Sequence, residues 1–429
     1  MKNKFLIITL IISLLILTDA ATYASEYRSE VKVGIKYGST AGDSLTVSSS
    51  GGLTVYDAAL GNILYTAQPS EDVYIQMGST GFASWNKFDA SSVTKISVQP
   101  PQGGTVICDG KEYRGYIYIE KCNNGELLVI NYVGTDDYVT SVLGKEMSYT
   151  WPKEALKAQS VCARNFVLTR GGAHKEYGFD VCTTTHCQVY GGVLSEHENT
   201  RQAVNETKGI LAKYNGELVG LYFFATSGGR TEDVENVWGT EYGYLKSVED
   251  TYENPDKASK YRWSVTLTCE EIMEKLQKAG VSIGNLTKIT VDAVSESGRV
   301  TQMTFYGTEG EYCVKREKCR TILGLYSQKF TIVPNTTLNI VTTSGDAQAP
   351  LYAQNSSGIT GIGGYNVLTG NGFLNSINVD FSGAQSYVIN GGGYGHGVGM
   401  SQWGARGMAE SGFTYDQILK HYFTSIELG

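Results

Sequence analysis

One stretch, GKEMSYTWPKEALKAQSVCAR at Gly144–Arg164, constrains this chain more than any other, because it sets a single acidic residue between two helix signals. Upstream, Asp136 and Asp137 can cap a short helix with apolar positions at Tyr138, Val139, Val142 and Leu143, and Gly144 reads as its stop. Downstream, Pro152 opens a longer helix reaching about Thr169. Glu146 is therefore expected in a short elbow just past a helix C-terminus. The negative end of the helix dipole and burial by Met147, Tyr149 and Trp151 would both favour a protonated carboxyl there, as a general acid requires. The plainer alternative is a solvated loop carboxylate.

Met1–Leu17 reads as a secretion signal: Lys2 and Lys4, then an apolar run from Phe5, with the small residues Thr22 and Ala24 placed for cleavage. An uncleaved anchor is the other form of the same segment, and either sets the protein outside the cytoplasm. The remaining chain of about 400 residues admits two or three domains. Net charge is −8, which argues against a nucleic-acid surface. With 51 Gly, 29 Tyr and only 7 Pro, the composition suits a sheet-rich fold with many tight turns. The expected class is α+β: a mixed, sheet-rich core with one long helix and inserted small β units.

In order, residues 26–134 read as strands, with a small inserted β unit near 62–104 and turns at Asp109-Gly110 and Asn123-Asn124-Gly125. Residues 135–334 form the expected core. Within it the loop 170–199 holds His174, Cys182, His186 and Cys187, a ligand set that zinc prefers. A Cys182–Cys187 disulfide or two free thiols fit the same spacing. His197 lies in a polar run and reads as solvated. Thr200 is expected to cap a helix to about Thr207, and Asn215-Gly216 to turn a hairpin. The hairpin's second strand runs into Thr226-Ser227-Gly228-Gly229, small residues that let a polymer approach the backbone. Thr268 starts a helix, and a further hairpin turns at Ser297-Gly298. Residues 335–388 read as an inserted β unit or long loop. Residues 389–429 complete the core with a glycine-rich stretch and helices, Thr414 capping the last through Tyr422. That stretch fails the dinucleotide register, since His396 and Met400 stand where glycine is required. Presenting His396, Ser401, Gln402 and Trp403, it suits an uncharged polymer.

Four segments, EMSYTWPKEALKAQSVCAR, YGFDVCTTTHCQVYGG, FATSGGRTEDVENVWG with YLKSVED, and GYGHGVGMSQWGARGMAESGFTYDQILKHY, resemble in sequence and order the stage II sporulation protein D / amidase enhancer family (SpoIID/LytB). The resemblance covers about residues 114–330 and 389–427, and VKVGIKYG is similar to the family's first strand. It implies a peptidoglycan lytic transglycosylase, which cuts between N-acetylmuramic acid and N-acetylglucosamine without adding water, on strands whose stem peptides an amidase has removed. The catalytic Glu maps onto Glu146, with Ser148 where the family usually has Pro. The Cys-x3-His-Cys loop maps onto Cys182, His186 and Cys187, with His174 as fourth ligand to a structural zinc. Glycan contacts are expected at Gln188, Tyr190, Thr226, Ser227, Gly228, Gly229, Glu232, Trp238, His396, Gly397, Ser401, Gln402 and Trp403, in an open groove floored by Glu146. Glu232 is the candidate second carboxylate should the reaction be hydrolytic. Two other classes stand beside the enzyme: a non-catalytic wall-binding amidase enhancer, and a structural zinc protein of the spore or wall matrix.

Overall fold

The computed structural model describes residues 29–83, 90–122, 125–335 and 385–429, together with six short strands of backbone between 339 and 374. The secretion segment and the Asn123-Asn124 turn lie outside the described residues. Helices and strands are mixed throughout, the α+β class expected, and the chain divides into two compact units. The first is residues 1–221 with 413–416 and 425–429; the second is 222–412 with 417–424. The main boundary therefore falls after Leu221 rather than at 134, because the strand Leu127–Gly134 and the helices after it share one core.

The first unit holds a seven-stranded sheet in the order Val181–Cys182, Glu30–Lys36, Leu127–Gly134, Tyr116–Lys121, Lys95–Gln99, Leu53–Asp57, Ile63–Ala67. A second sheet of five strands runs Phe82–Ala83, Val73–Met77, Ser44–Ser48, Thr105–Cys108, Lys111–Arg114. The β-branched side chains that alternate along these strands, Val31, Val33, Val55, Ile96, Val98, Ile117 and Ile119, are all fully buried. Residues 62–104 are not an insertion. Lys95–Gln99 pairs with Tyr116–Lys121 on one side and Leu53–Asp57 on the other, so the segment supplies an interior strand of the main sheet. Asp109 and Gly110 make the expected turn, both with positive φ.

Three helices, Thr135–Glu146, Lys153–Thr169 and Glu198–Glu206, pack together in this unit. The sequence periodicity is kept: Tyr138, Val139, Val142 and Leu143 are buried, and so are Ala155, Leu156, Val161 and Cys162. Two caps differ from expectation. Gly134 precedes the first helix, and the two aspartates turn instead to arginines: Asp136 bonds the fully buried Arg164 at 3.1 Å, and Asp137 lies 3.5 Å from Arg201. The third helix is capped by His197, whose Nδ1 accepts from the Asn199 amide, while Thr200 sits one turn in and is buried. His197 is also stacked on Tyr149, ring centres 3.7 Å apart, and is not simply solvated.

The second unit is built on a three-stranded sheet, Trp263–Thr268, Ser386–Gly391 and Phe330–Pro334, and a meander of Leu286–Val294, Val300–Gly307 and Gly310–Lys315. Their shared core includes Leu267, Ile272, Leu276, Met303, Phe305, Leu323 and Ile389. Thr268 caps the helix Cys269–Lys278 with a reciprocal bond to Glu271, as its sequence implies.

Candidate functional site

Glu146 is the last residue of the helix Thr135–Glu146, not part of a loop beyond it. Gly144 does not stop the helix: its bare Cα faces the Ser195 carbonyl, which any Cβ would strike. The chain at Ser195 can thus lie directly against the final turn. Glu146 is half-buried, and its charge is felt by Tyr138 of the same helix. The Tyr138 hydroxyl is fully buried and donates to Gln188 at 3.1 Å. Burial first, then the charges of Cys187, Tyr190, Cys182 and Glu146, hold it well above the ordinary phenol range. One phenol therefore lies within electrostatic reach of both the acid and the His/Cys loop. Sequence periodicity marked Tyr138 only as a core position. Several ion pairs tie this unit's elements together: Asp136 with Arg164, Glu154 with Lys157, Glu206 with Lys153, and Glu196 with Arg114 and Arg201.

The His/Cys loop is anchored by the sheet. Val181–Cys182 adds as a parallel edge strand with Gly34 opposite Cys182, and Gly34 must lack a Cβ because the Phe179 ring occupies that space. Phe179 in turn stacks on His174 at 4.6 Å. The ligand atoms of His174, Cys182, His186 and Cys187 all lie within 4.8 Å of one another. Cys187 Sγ is 3.4 Å from His174 Nε2 and 3.5 Å from His186 Nδ1, and Cys182 Sγ is 3.8 Å from His186 Nδ1. Ordinary Zn–S and Zn–N bonds at a tetrahedral centre put sulfur and nitrogen about 3.6 Å apart. Both cysteines are free thiols, so the disulfide alternative is not adopted. Burial raises the Cys182 thiol, but bonds from Thr184 and the His186 ring outweigh it and bring it down to about 6. Two sulfurs and two imidazoles at these separations can hold one four-coordinate ion with no position left open.

Gln188 and Tyr190 are buried beside this loop, Gln188 against Tyr138 and Tyr190 donating to Asn131 at 2.8 Å. Their side chains meet protein rather than an open surface.

In the second unit the two glycine-containing motifs meet. Phe223–Phe224 pairs in parallel with Met400–Ser401, and Thr226 bridges Tyr394. Gly228 and Gly393 both have positive φ and approach so closely that a Cβ on either would strike the other's backbone segment. Thr226, Ser227, Glu232 and Ser401 are buried. Glu232 accepts from the Asp233 amide and Asn236 on one oxygen and from Ser295 and Ser297 on the other. Its carboxylate is a packing node, and its own amide donates to the Gly397 carbonyl at 2.8 Å. Trp238 and His396 stand side by side, ring centres 5.1 Å apart, with Phe224 5.5 Å from His396. His396 Nδ1 accepts from the Val398 amide, so the neutral ring carries its proton on Nε2, and burial lowers its pKa to about 4. Trp238 is 37% exposed and gives this cluster an aromatic face. Gln402 begins the helix Gln402–Glu410, and Trp403 is half-buried, with Arg406 over its ring at 4.9 Å. Beneath them lies a pair that the sequence did not announce. Glu253 accepts from the Ser227 and Gly228 amides and from the Ser401 hydroxyl, and burial, then the Asp250 charge, push its pKa up to about 7. Glu146 belongs to the first unit, whereas Ser227 and His396 belong to the second.

Comparison with known proteins follows the same outline. The family model of the stage II sporulation protein (SpoIID) matches residues 123–214, which carry Glu146 and all four residues of the His/Cys cluster. A domain of unknown function matches residues 243–346. The chain is 31% identical over 322 residues to an uncharacterized protein of Brachyspira hyodysenteriae, covering 75% of this chain and 73% of that one. It is 28% identical to the amidase enhancer of Bacillus subtilis, of which it spans only 44%. It is also 28% identical to stage II sporulation protein D of Bacillus subtilis, spanning 74% of it. With the motifs, their order and these relatives in agreement, the chain belongs to the stage II sporulation protein D / amidase enhancer family.

Proposed function

We propose that the protein is a peptidoglycan lytic transglycosylase acting outside the cytoplasm on peptide-stripped glycan strands. The observation that carries this reading is the setting of Glu146. It sits half-buried at the C-terminal end of a helix, in the unit that also holds the His/Cys loop, and within electrostatic reach of the buried Tyr138 phenol. A helix C-terminus disfavours a carboxylate anion, the direction a general acid needs. In the proposed reaction the Glu146 carboxyl gives its proton to the glycosidic oxygen as the bond between N-acetylmuramic acid and N-acetylglucosamine breaks. The C6 hydroxyl of the muramic sugar then closes on its own C1, and the Glu146 carboxylate takes the hydroxyl proton. The product is a 1,6-anhydro end, and one carboxyl group serves both steps. Glu232, with both oxygens engaged, offers no second carboxylate for hydrolysis.

His174, Cys182, His186 and Cys187 would hold a structural zinc that fastens the loop beside Tyr138. The relatives named for sporulation and for amidase enhancement support a role in wall processing during sporulation, next to a cell-wall amidase that strips the strands. Met1–Leu17 would act either as a cleaved leader that secretes the protein to the cell wall or as an anchor that holds it on the outer face of the cytoplasmic membrane.

Purified protein incubated with peptide-stripped strands should release 1,6-anhydro ends detectable by mass spectrometry. Glu146→Gln should lose about 10²–10⁴-fold in rate while keeping its fold. Strands that are bound but never cut, by either protein, would instead support the amidase-enhancer reading that the relative's name suggests.

A further inference from the structure

We propose that the second unit carries a separate anion site, suited to a carboxylate-bearing saccharide, where Arg262 and Lys329 flank a pocket at one end of its three-stranded sheet. The pocket encloses about 670 Å³ and is lined by Arg262, Trp263, Ser264, Lys329, Thr331 and Asn390 among others. Its floor is rigid and aromatic. Trp263 and Phe330 are buried, and the indole N–H of Trp263 is fixed on the Gly393 carbonyl at 2.9 Å. Gly391 opposite must lack a Cβ, because the Trp263 ring fills that space.

The two cations have no carboxylate of their own. Lys329 donates to the Gly228 carbonyl at 2.9 Å, and Arg262 reaches the same carbonyl at 3.4 Å and the Tyr261 carbonyl at 3.0 Å. Neither makes an ion pair among the described residues. A third cation lies behind them: Arg299 is fully buried, its Nε and Nη1 have no hydrogen-bond partner, and its Nη2 donates to the Ser227 and Arg230 carbonyls. The carboxylates whose charge reaches these cations are already engaged, Glu253 by the Ser227 and Gly228 amides and Ser401, and Glu232 by Asn236, Ser295 and Ser297. Burial, and then the charges of Arg299 and Arg262, lower the Lys329 ammonium to about 8. Arg262 also lies over the Tyr261 ring, 4.5 Å from its centre, so among the described residues backbone carbonyls and one aromatic face are all that meet the two pocket cations, and an anion in the pocket would relieve their charge.

The rest of the lining selects the body that carries the anion. Ser264, Thr331 and Asn390 are neutral hydrogen-bonding groups around an aromatic floor, which suits a hydroxylated ring rather than a compact inorganic ion. The identity of the sugar rests on the glycan reading above: a peptide-stripped strand bears its carboxylates on the lactyl groups of N-acetylmuramic acid. Gly228, expected to meet substrate, would then act through the cations its carbonyl gathers.

Calorimetric titration of the full chain carrying Glu146→Gln tests this without cleavage. N-acetylmuramic acid should bind more tightly than its carboxyl-reduced alcohol, and binding should weaken as salt rises. Lys329→Gln and the more exposed Arg262→Gln should each weaken binding of the acid by about tenfold or more, with Lys329→Arg retaining it. Equal binding of acid and alcohol, unaffected by the Arg262→Gln variant, overturns the proposal, as does Lys329-dependent binding of inorganic phosphate as tight as that of the acid sugar. The wild-type cleavage assay is read separately. Charge-dependent binding without cleavage leaves this site standing and removes the enzyme, whereas cleavage without charge-dependent binding does the reverse.

Discussion

Glycine inside a helix normally costs about 1 kcal/mol relative to alanine, so Gly144→Ala would be expected to stabilise an isolated helix. Here the sign should reverse. The Ser195 carbonyl lies where the new Cβ would go, and backbone on both sides leaves no flexible atom to yield. Gly144→Ala should therefore destabilise the protein by about 1–3 kcal/mol in a denaturant titration, and a gain in stability would show that Ser195 does not pack on this turn. Glu253 offers a second test with a sign. An unfolded glutamate titrates near 4.3, whereas burial and then the Asp250 charge raise Glu253 to about 7. Between those values the native protein holds a proton that the unfolded chain has released, so the Glu253 contribution is greatest below about pH 4 and is lost as pH rises to 7. His396 works against it. Burial lowers His396 to about 4, so its contribution is present above the unfolded value near 6.5 and is lost as pH falls through 4. The two slopes oppose each other in the wild type. Glu253→Gln should unmask the histidine, giving a variant whose stability rises from pH 4 to 6.5, and whose advantage over the wild type grows by up to about 3 kcal/mol across the window. Parallel pH profiles for the two proteins would contradict this.

At the scale of elements, what could be read from sequence was what local chemistry decides. Asn215-Gly216 turns its hairpin with φ of 53° and 82°, and Thr268 with Glu271 caps its helix, because each depends on residues within four positions. The long helix from Lys153 and the Ser297-Gly298 hairpin were legible for the same reason. Long-range pairing was not. Nothing in KISVQ says that Lys95–Gln99 lies inside the main sheet, and nothing in DVC says that Val181–Cys182 adds beside Glu30–Lys36. The metal-ligating residue types were visible, while the device that gathers them, Gly34 admitting Phe179 against His174, depends on residues about 140 positions apart in the chain. The Glu253–Asp250 pair was missed because burial, not spacing, gives it its character. The loop also carries a prediction. Purified protein should contain one equivalent of zinc by metal analysis, and Cys182→Ser should lower both zinc content and melting temperature, since a structural ion binds only the folded loop. Zinc-free protein with unchanged stability after Cys182→Ser would remove the metal from the account.

At the scale of the whole molecule, the strand ends of the second unit define a shortening by which its self-sufficiency can be tested. Phe330–Pro334 and Ser386–Gly391 are antiparallel neighbours with Pro334 opposite Tyr387, and the Asn335 amide donates to the Ser386 carbonyl at 2.8 Å. The chain from 336 to 384 therefore leaves and re-enters the unit at adjacent strand ends. The core described around these strands runs from Trp263 and Leu267 through Met303 and Phe305 to Ile389. Gln385 is a different matter, because its carbonyl accepts from the Cys269 amide at the start of the helix Cys269–Lys278. Residues 336–384 should thus be replaceable by Gly-Asn-Gly, which with Gln385 makes a hairpin loop of ordinary length. Shortening a loop this long removes only a slowly growing closure entropy, so the melting temperature should stay within a few degrees of the parent or rise slightly. Calorimetry on the shortened protein decides the point. A cooperative transition at the parent temperature confirms that the three-stranded sheet is self-sufficient, whereas a broad or lost transition would show that the segment contributes packing which that core cannot do without.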